Sequence, residues 1–156
     1  ARIGKPGGKN GVFRRILIVC IGNICRSPTA EIVFRDALDC PDIEVSSAGL
    51  QALVDRPTDP TAAELLRERG LDPDAHRARQ LTSDLLAASD LVLVMERAHQ
   101  ARIAREYPQA SGKTLLLGKW CNDLEIPDPY RQQRPAFEHV LRLIDDSVAG
   151  WKPYLR

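Results

Sequence analysis

The chain has 156 residues, with 22 Lys+Arg against 21 Asp+Glu and a formal net charge of +1. That length suits one ordinary domain, able to bury roughly 70% of its unfolded surface without disulfides or a structural metal. With 44% hydrophobic and 28% charged residues the composition is that of a soluble globular protein, and the near-zero net charge argues against a dedicated nucleic-acid binder.

Residues 1–12 contain Gly4, Gly7, Gly8 and Gly11 with Lys5 and Lys9, and read as a flexible extension or an expression remnant ahead of a single domain over 13–156. The longest aliphatic stretch, from Ile16 to Ile21, is far short of the roughly 20 apolar residues of a membrane span. With no secretion signal in view, the expected compartment is the reducing cytoplasm, where cysteines are catalytic, redox-sensing or inert.

In chain order, runs rich in Ile, Val and Leu at 15–20, 43–47, 91–95 and 114–117 lack polar alternation and predict strands covered on both faces. Helical spacing predicts helices over 27–38, from Pro60 behind an Asp59 cap to a stop at Gly70, over 83–88 and 97–106, and over 135–151. In the last of these Phe137, Val140, Leu141, Ile144 and Val148 form one apolar stripe. Strands alternating with helices imply an α/β domain of three layers, a parallel sheet flanked by helices. Ligands in such folds bind beyond the carboxyl ends of the strands, so the loops after Cys20, Ser47, Met95 and Leu117 matter most.

Cys20-Ile21-Gly22-Asn23-Ile24-Cys25-Arg26-Ser27-Pro28 joins the first strand directly to a helix. Loop N–H groups and those of the first helical turn converge there, and the helix dipole adds positive potential, which makes it an anion site. Gly22 and Asn23 tolerate left-handed backbone, and Arg26 can set its planar fork against two oxygens of a tetrahedral ion. Cys20, at the base of this cradle, is surrounded by features that favour the thiolate, a nucleophile placed for in-line attack on phosphorus. No Gly-Lys-Ser/Thr follows, which excludes a Walker A loop, and no second Cys or His pair stands at zinc-ligand spacing.

The string from Val19 to Pro28, with Ser47-Ala48-Gly49, His76-Arg77-Ala78-Arg79-Gln80 and Asp128-Pro129-Tyr130 downstream, resembles the low-molecular-weight protein tyrosine phosphatases from about Arg15 to the C-terminus. The resemblance implies that family's four-stranded parallel sheet and a phosphotyrosine hydrolase that uses a cysteine and neither metal nor other cofactor. It implies Cys20 as nucleophile, Arg26 as phosphate ligand and Asp128 as general acid. A tyrosine phenol has a pKa of about 10, so its phenolate leaves poorly unless protonated as the bond breaks. Pro127 and Pro129 would stiffen the loop carrying the acid. By the same resemblance Ile21, Gly22, Asn23, Ile24, Cys25 and Ser27 wrap the phosphate, Ser27 hydrogen-bonds Cys20, and Asn23, Ser47 and His76 brace the loop. Tyr130 resembles one wall of the slot for the substrate ring, and Leu50 is assigned to substrate binding.

Eukaryotic members commonly carry a second aromatic where this chain has Arg131. That difference and the apolar Leu50, Leu53 and Val54 resemble the bacterial branch that dephosphorylates tyrosine autokinases controlling capsule or exopolysaccharide export. The expected partner is a tyrosine-rich kinase tail, with no nucleic acid and no membrane insertion, and the enzyme is expected to be a monomer. Cys25 is a candidate disulfide partner for Cys20 under oxidation. Cys40 and Cys121 show no chemical context, and His99 and His139 are expected to be solvated on their helices. A thiol-dependent arsenate reductase would need closely spaced downstream thiols in place of the isolated Cys40 and Cys121. A silent phosphotyrosine-binding module would have no use for both Cys20 and Asp128.

Overall fold

A computed structural model describes residues 13–38 and 40–155; the extension expected over 1–12 lies outside the described residues. Strand β1 (Arg15–Cys20) leads into α1 (Arg26–Ala37), followed by β2 (Glu44–Gly49), α2 (Pro60–Glu68), α3 (Ser83–Ala87), β3 (Leu91–Val94) and α4 (Arg97–Glu106). A 3-10 helix over Pro108–Lys113 precedes β4 (Thr114–Leu116), and α5 (Arg134–Trp151) ends in a second 3-10 helix over Lys152–Tyr154. No helix among the described residues is long and apolar enough to cross a membrane.

The four strands pair in parallel in the order β2-β1-β3-β4. Side chains of β1 alternate between two cores, which is why its run is apolar throughout. Ile16, Ile18 and Cys20 join Phe34 of α1, Leu66 of α2 and the α5 stripe of Phe137, Val140, Leu141, Ile144 and Val148. Leu17 and Val19 face Leu81, Leu86 and Ile103 on the other side. Because the chain leaves β1 first toward β2 and later returns to pair β3 on its other edge, the order reverses at β1. The crevice of such a switch point opens beyond its carboxyl end.

Local signals set the helix limits. Asp59 accepts from the N–H groups of Thr61 and Ala62 at the start of α2, and Gly70 follows its end at φ +76°, the left-handed geometry that glycine adopts without strain. The C-terminal segment is fixed by aromatics: Trp151 donates from Nε1 to Leu117 O at 2.9 Å and meets Trp120 edge-on at 5.6 Å, while Trp120 stacks on Tyr154 at 4.3 Å.

Three expectations need correction. Strand β2 runs two residues further than its apolar run, because Ala48 and Gly49 stay paired with Val19 and Cys20. Leu50, expected at the substrate, is 5% exposed and packs with Leu17, Val19, Ala48 and Leu81; its N–H donates to Cys20 O at 2.9 Å, which continues the ladder and leaves its side chain in the core. His99, expected in solvent, is 4% exposed, since it occupies the α4 turn that faces the loop after β1. His139 is exposed.

Candidate active site

The loop between β1 and α1 is held open by the segment that follows β2. Leu50, Gln51 and Leu53 donate to the carbonyls of Cys20, Ile21 and Gly22, each at 2.9 Å, and Asp59 donates to Ile24 O at 2.7 Å. His76 completes the set: its Nε2 lies 2.6 Å from Asn23 O, and a carbonyl only accepts, so that nitrogen carries the proton. With the carbonyls drawn outward, the N–H groups from Gly22 to Cys25 have no protein acceptor among the described residues. The first N–H groups of α1 lie next in line. Asn23 sits at φ +60°, the turn that reverses the ring. Gly49 permits the close approach, because a Cβ there would lie 2.5 Å from Ile21 O.

Inside the ring, a chain of buried hydrogen bonds assigns the proton on Ser27. Glu31, which as a carboxylate can only accept, takes the Ser47 hydroxyl proton at 2.7 Å. Ser47 must then accept from Asn23 Nδ2, 3.0 Å away. Asn23 is oriented by the Arg79 N–H, which donates to its Oδ1 at 2.9 Å, and its second amide hydrogen goes to Ser27 Oγ at 2.8 Å. The remaining hydroxyl proton of Ser27 is left to point at Cys20 Sγ, 2.9 Å away.

Arg26 is 2% exposed. Its Nη1 donates to Glu96 Oε2 at 2.6 Å and to Ile126 O at 2.8 Å. Asp128 Oδ2 stands 3.7 Å from Nη2. Among the described residues no hydrogen bond occupies Nε or Nη2, so one edge of the guanidinium fork is free. Cys20, Arg26 and Asp128 line a single cleft of about 450 Å³, with Ile21, Ile24, Leu53 and Tyr130 supplying apolar surface. Asp128 is about half exposed and accepts the Tyr130 N–H at 3.0 Å. The Arg131 guanidinium lies over the Tyr130 ring, 5.2 Å from its centroid, so the position without a second aromatic carries a cation stacked on the first one.

Every residue expected at the phosphate therefore gathers at this loop. Ser47 and His76 are placed as braces, while Leu50 gives way to Gln51, Ala52 and Leu53 at the cleft wall. Cys25 also lines the cleft; burial, reinforced by the charge of Cys20, pushes its thiol well above the ordinary range. Cys40 and Cys121 are free and stand outside the cleft lining. Three residues escaped the sequence reading. Glu31 is a carboxylate on the buried side of α1, Arg79 lies inside the quoted downstream motif, and Glu96 follows the carboxyl end of β3. The rule on strand ends pointed at Glu96.

A sequence profile of the family described as low molecular weight phosphotyrosine protein phosphatase matches residues 15–156. The chain is 46% identical over 140 residues to the probable low molecular weight protein-tyrosine-phosphatase AmsI of Erwinia amylovora, covering 90% of this chain and 96% of that one. It is similar to the solved structure of Vibrio vulnificus Wzb in complex with benzylphosphonate, with a TM-score of 0.86, 44% identity and coverage of 90% and 97%. The YwlE arginine phosphatase from Geobacillus stearothermophilus is similar at a TM-score of 0.84 and 30% identity, with coverage of 89% and 90%.

Proposed function

This chain belongs to the low molecular weight phosphotyrosine protein phosphatase family, and on that premise we propose that it hydrolyses phosphotyrosine through a cysteinyl-phosphate formed on Cys20. The observation that carries the reading is the convergence of Cys20, the free edge of Arg26 and Asp128 on one cleft. The phosphate dianion sits in the ring of N–H groups with two oxygens on Arg26 Nε and Nη2. Cys20 Sγ attacks phosphorus, forming the S–P bond as the P–O bond to tyrosine breaks, and Asp128 gives its proton to the departing phenolate oxygen. Water then attacks phosphorus, Asp128 takes a proton from it, and the thiolate leaves toward the Ser27 hydroxyl, which donates to it. Ile21, Leu53 and Tyr130 offer apolar contact for the substrate ring.

The charge complement of the phosphate is supplied by Arg26 and backbone N–H groups, and the reaction proceeds without a metal. The substrate is the tyrosine-rich tail of a bacterial autokinase controlling capsule or exopolysaccharide production, encountered in the cytoplasm by a monomeric enzyme; the Asp128-Pro129-Tyr130-Arg131 sequence supports this choice. The test is turnover in EDTA of phosphotyrosine, phosphoserine, phosphoarginine and arsenate in parallel, with the Cys20→Ser variant as control. Phosphotyrosine hydrolysis that survives EDTA and is lost in Cys20→Ser is expected. Loss in EDTA, activity retained by Cys20→Ser, or preference for phosphoarginine or arsenate would overturn the reading.

A further inference from the structure

Glu96 occupies the N-cap position of α4 without capping it. Its carboxylate is given instead to Arg26 Nη1 at 2.6 Å, although the side chain is about one-third exposed while Arg26 is buried. A glutamate at a wet position has three torsions to lose, and ordering it against one partner carries an entropic penalty. The first turn of α4 brings a rigid group to the same oxygen: His99, three residues on, places Nε2 3.4 Å from Glu96 Oε2 and is itself 4% exposed.

The other ring nitrogen is informative. His99 Nδ1 is the single buried side-chain nitrogen or oxygen without a hydrogen-bond partner among the described residues, and such orphans call for an explanation. With the proton on Nε2, toward Glu96, Nδ1 is an empty acceptor, a smaller loss than a stranded N–H. The charged groups facing the ring are Arg26 and Arg102 on the positive side and Glu96 and Asp128 on the negative; burial and Arg26 prevail and hold the imidazole below the ordinary histidine value. A neutral ring leaves the Glu96 charge to Arg26, whereas an imidazolium would compete for it.

We propose that His99 is a positioning residue that acts through Glu96 on Arg26. It steadies the carboxylate that pins Nη1, so that the Nε and Nη2 edge stays turned to the cleft. The proposal rests on the reading of Arg26 as the phosphate ligand. It assigns a role in the site to a buried histidine that touches neither substrate nor nucleophile.

The experiment measures affinity for inorganic phosphate from its protection of Cys20 against iodoacetate alkylation, followed by peptide mass spectrometry, in the wild type, His99→Leu, His99→Gln, Glu96→Gln and the double variant Glu96→Gln/His99→Leu. His99→Leu is expected to weaken phosphate binding by roughly tenfold, the size of effect that removing one polar partner of a charged group produces. The alkylation rate without phosphate is measured for every variant, so that protection is read as a ratio to that variant's own rate. His99→Gln, whose amide nitrogen reaches the same place, restores most of the affinity. The double variant binds no worse than Glu96→Gln alone, because the effect of His99 passes through that carboxylate. Wild-type phosphate affinity in His99→Leu, equal losses in the Leu and Gln variants, or simple addition of the two single losses would each overturn the proposal. Protection by phosphate requires no turnover, so the outcome is independent of whether Cys20 forms a phospho-enzyme, which the Cys20→Ser assay decides.

Discussion

Replacing Asn23 with alanine removes the hub of the loop. Its side chain makes three hydrogen bonds, two of them buried, to Ser27 Oγ at 2.8 Å and to Ser47 Oγ at 3.0 Å, and one part-buried, from the Arg79 N–H at 2.9 Å. At about 1 kcal/mol net for each, their loss amounts to about 3 kcal/mol. Alanine must also adopt the φ of +60° that asparagine tolerates, adding about 1 kcal/mol. The sum of about 4 kcal/mol is a large share of the 5–15 kcal/mol typical of a domain. Urea unfolding of the wild type, Asn23→Ala and Asn23→Gly separates the two contributions, since glycine meets the backbone requirement without the hydrogen bonds and should be about 1 kcal/mol more stable than alanine. Both variants release the Ser27 hydroxyl from its fixed orientation, and a fall in kcat of about 10²-fold is expected, as for loss of one preorganised donor. An alanine variant within about 1 kcal/mol of the wild type, or one with full turnover, would refute the directed hydrogen-bond chain.

Asp128→Asn should slow phenolic substrates by about 10²–10⁴-fold while sparing those with activated leaving groups; steady-state rates across a series of aryl phosphates test this, and equal slowing removes Asp128 from its role. Gly49→Ala puts a methyl 2.5 Å from Ile21 O and should abolish phosphate protection of Cys20 while far-UV circular dichroism stays native. His99 has a lowered pKa in the folded protein, so the unfolded chain binds more protons as pH falls below about 6.5. Stability from this group is present above that pH and lost below it, and His99→Gln should flatten urea midpoints between neutral and mildly acidic pH. For Cys25, whose thiol is held protonated by burial and by Cys20, the rate of Cys20–Cys25 bridge formation after mild peroxide should rise with pH, read by mass spectrometry; irreversible oxidation of Cys20 alone at every pH would count against a bridge.

The strands and helices were legible because each announces itself locally. The unbroken apolar run of Arg15–Cys20 and the capped start of α2 match the structure closely, as do both ends of Arg97–Glu106. The nucleophile loop was legible because Gly22, Asn23 and Arg26 constrain one short segment. What stayed hidden depends on contacts distant in sequence. Leu50 looks like a loop residue until the pairing of Cys20 with Gly49 carries the strand's alternation one step further and turns it inward. His99 stands on a short helix with polar neighbours, and only the packing of that helix against Arg26, far away in sequence, buries it. Glu31 and Glu96 have no apolar pattern of their own; their meaning comes from the donors they meet, Ser47 and Arg35 for Glu31 and Arg26 and His99 for Glu96.

The aromatic cluster at the C-terminal end bears on how this protein can be observed. Its 2 tryptophans are both in that cluster, one edge-on to the other and one stacked on Tyr154, and neither lines the cleft. Intrinsic fluorescence is therefore a gauge of how α5 closes against the sheet, and its unfolding transition reports that end of the molecule. A tryptophan placed at Leu53, on the cleft wall, would make phosphate binding visible to the same instrument.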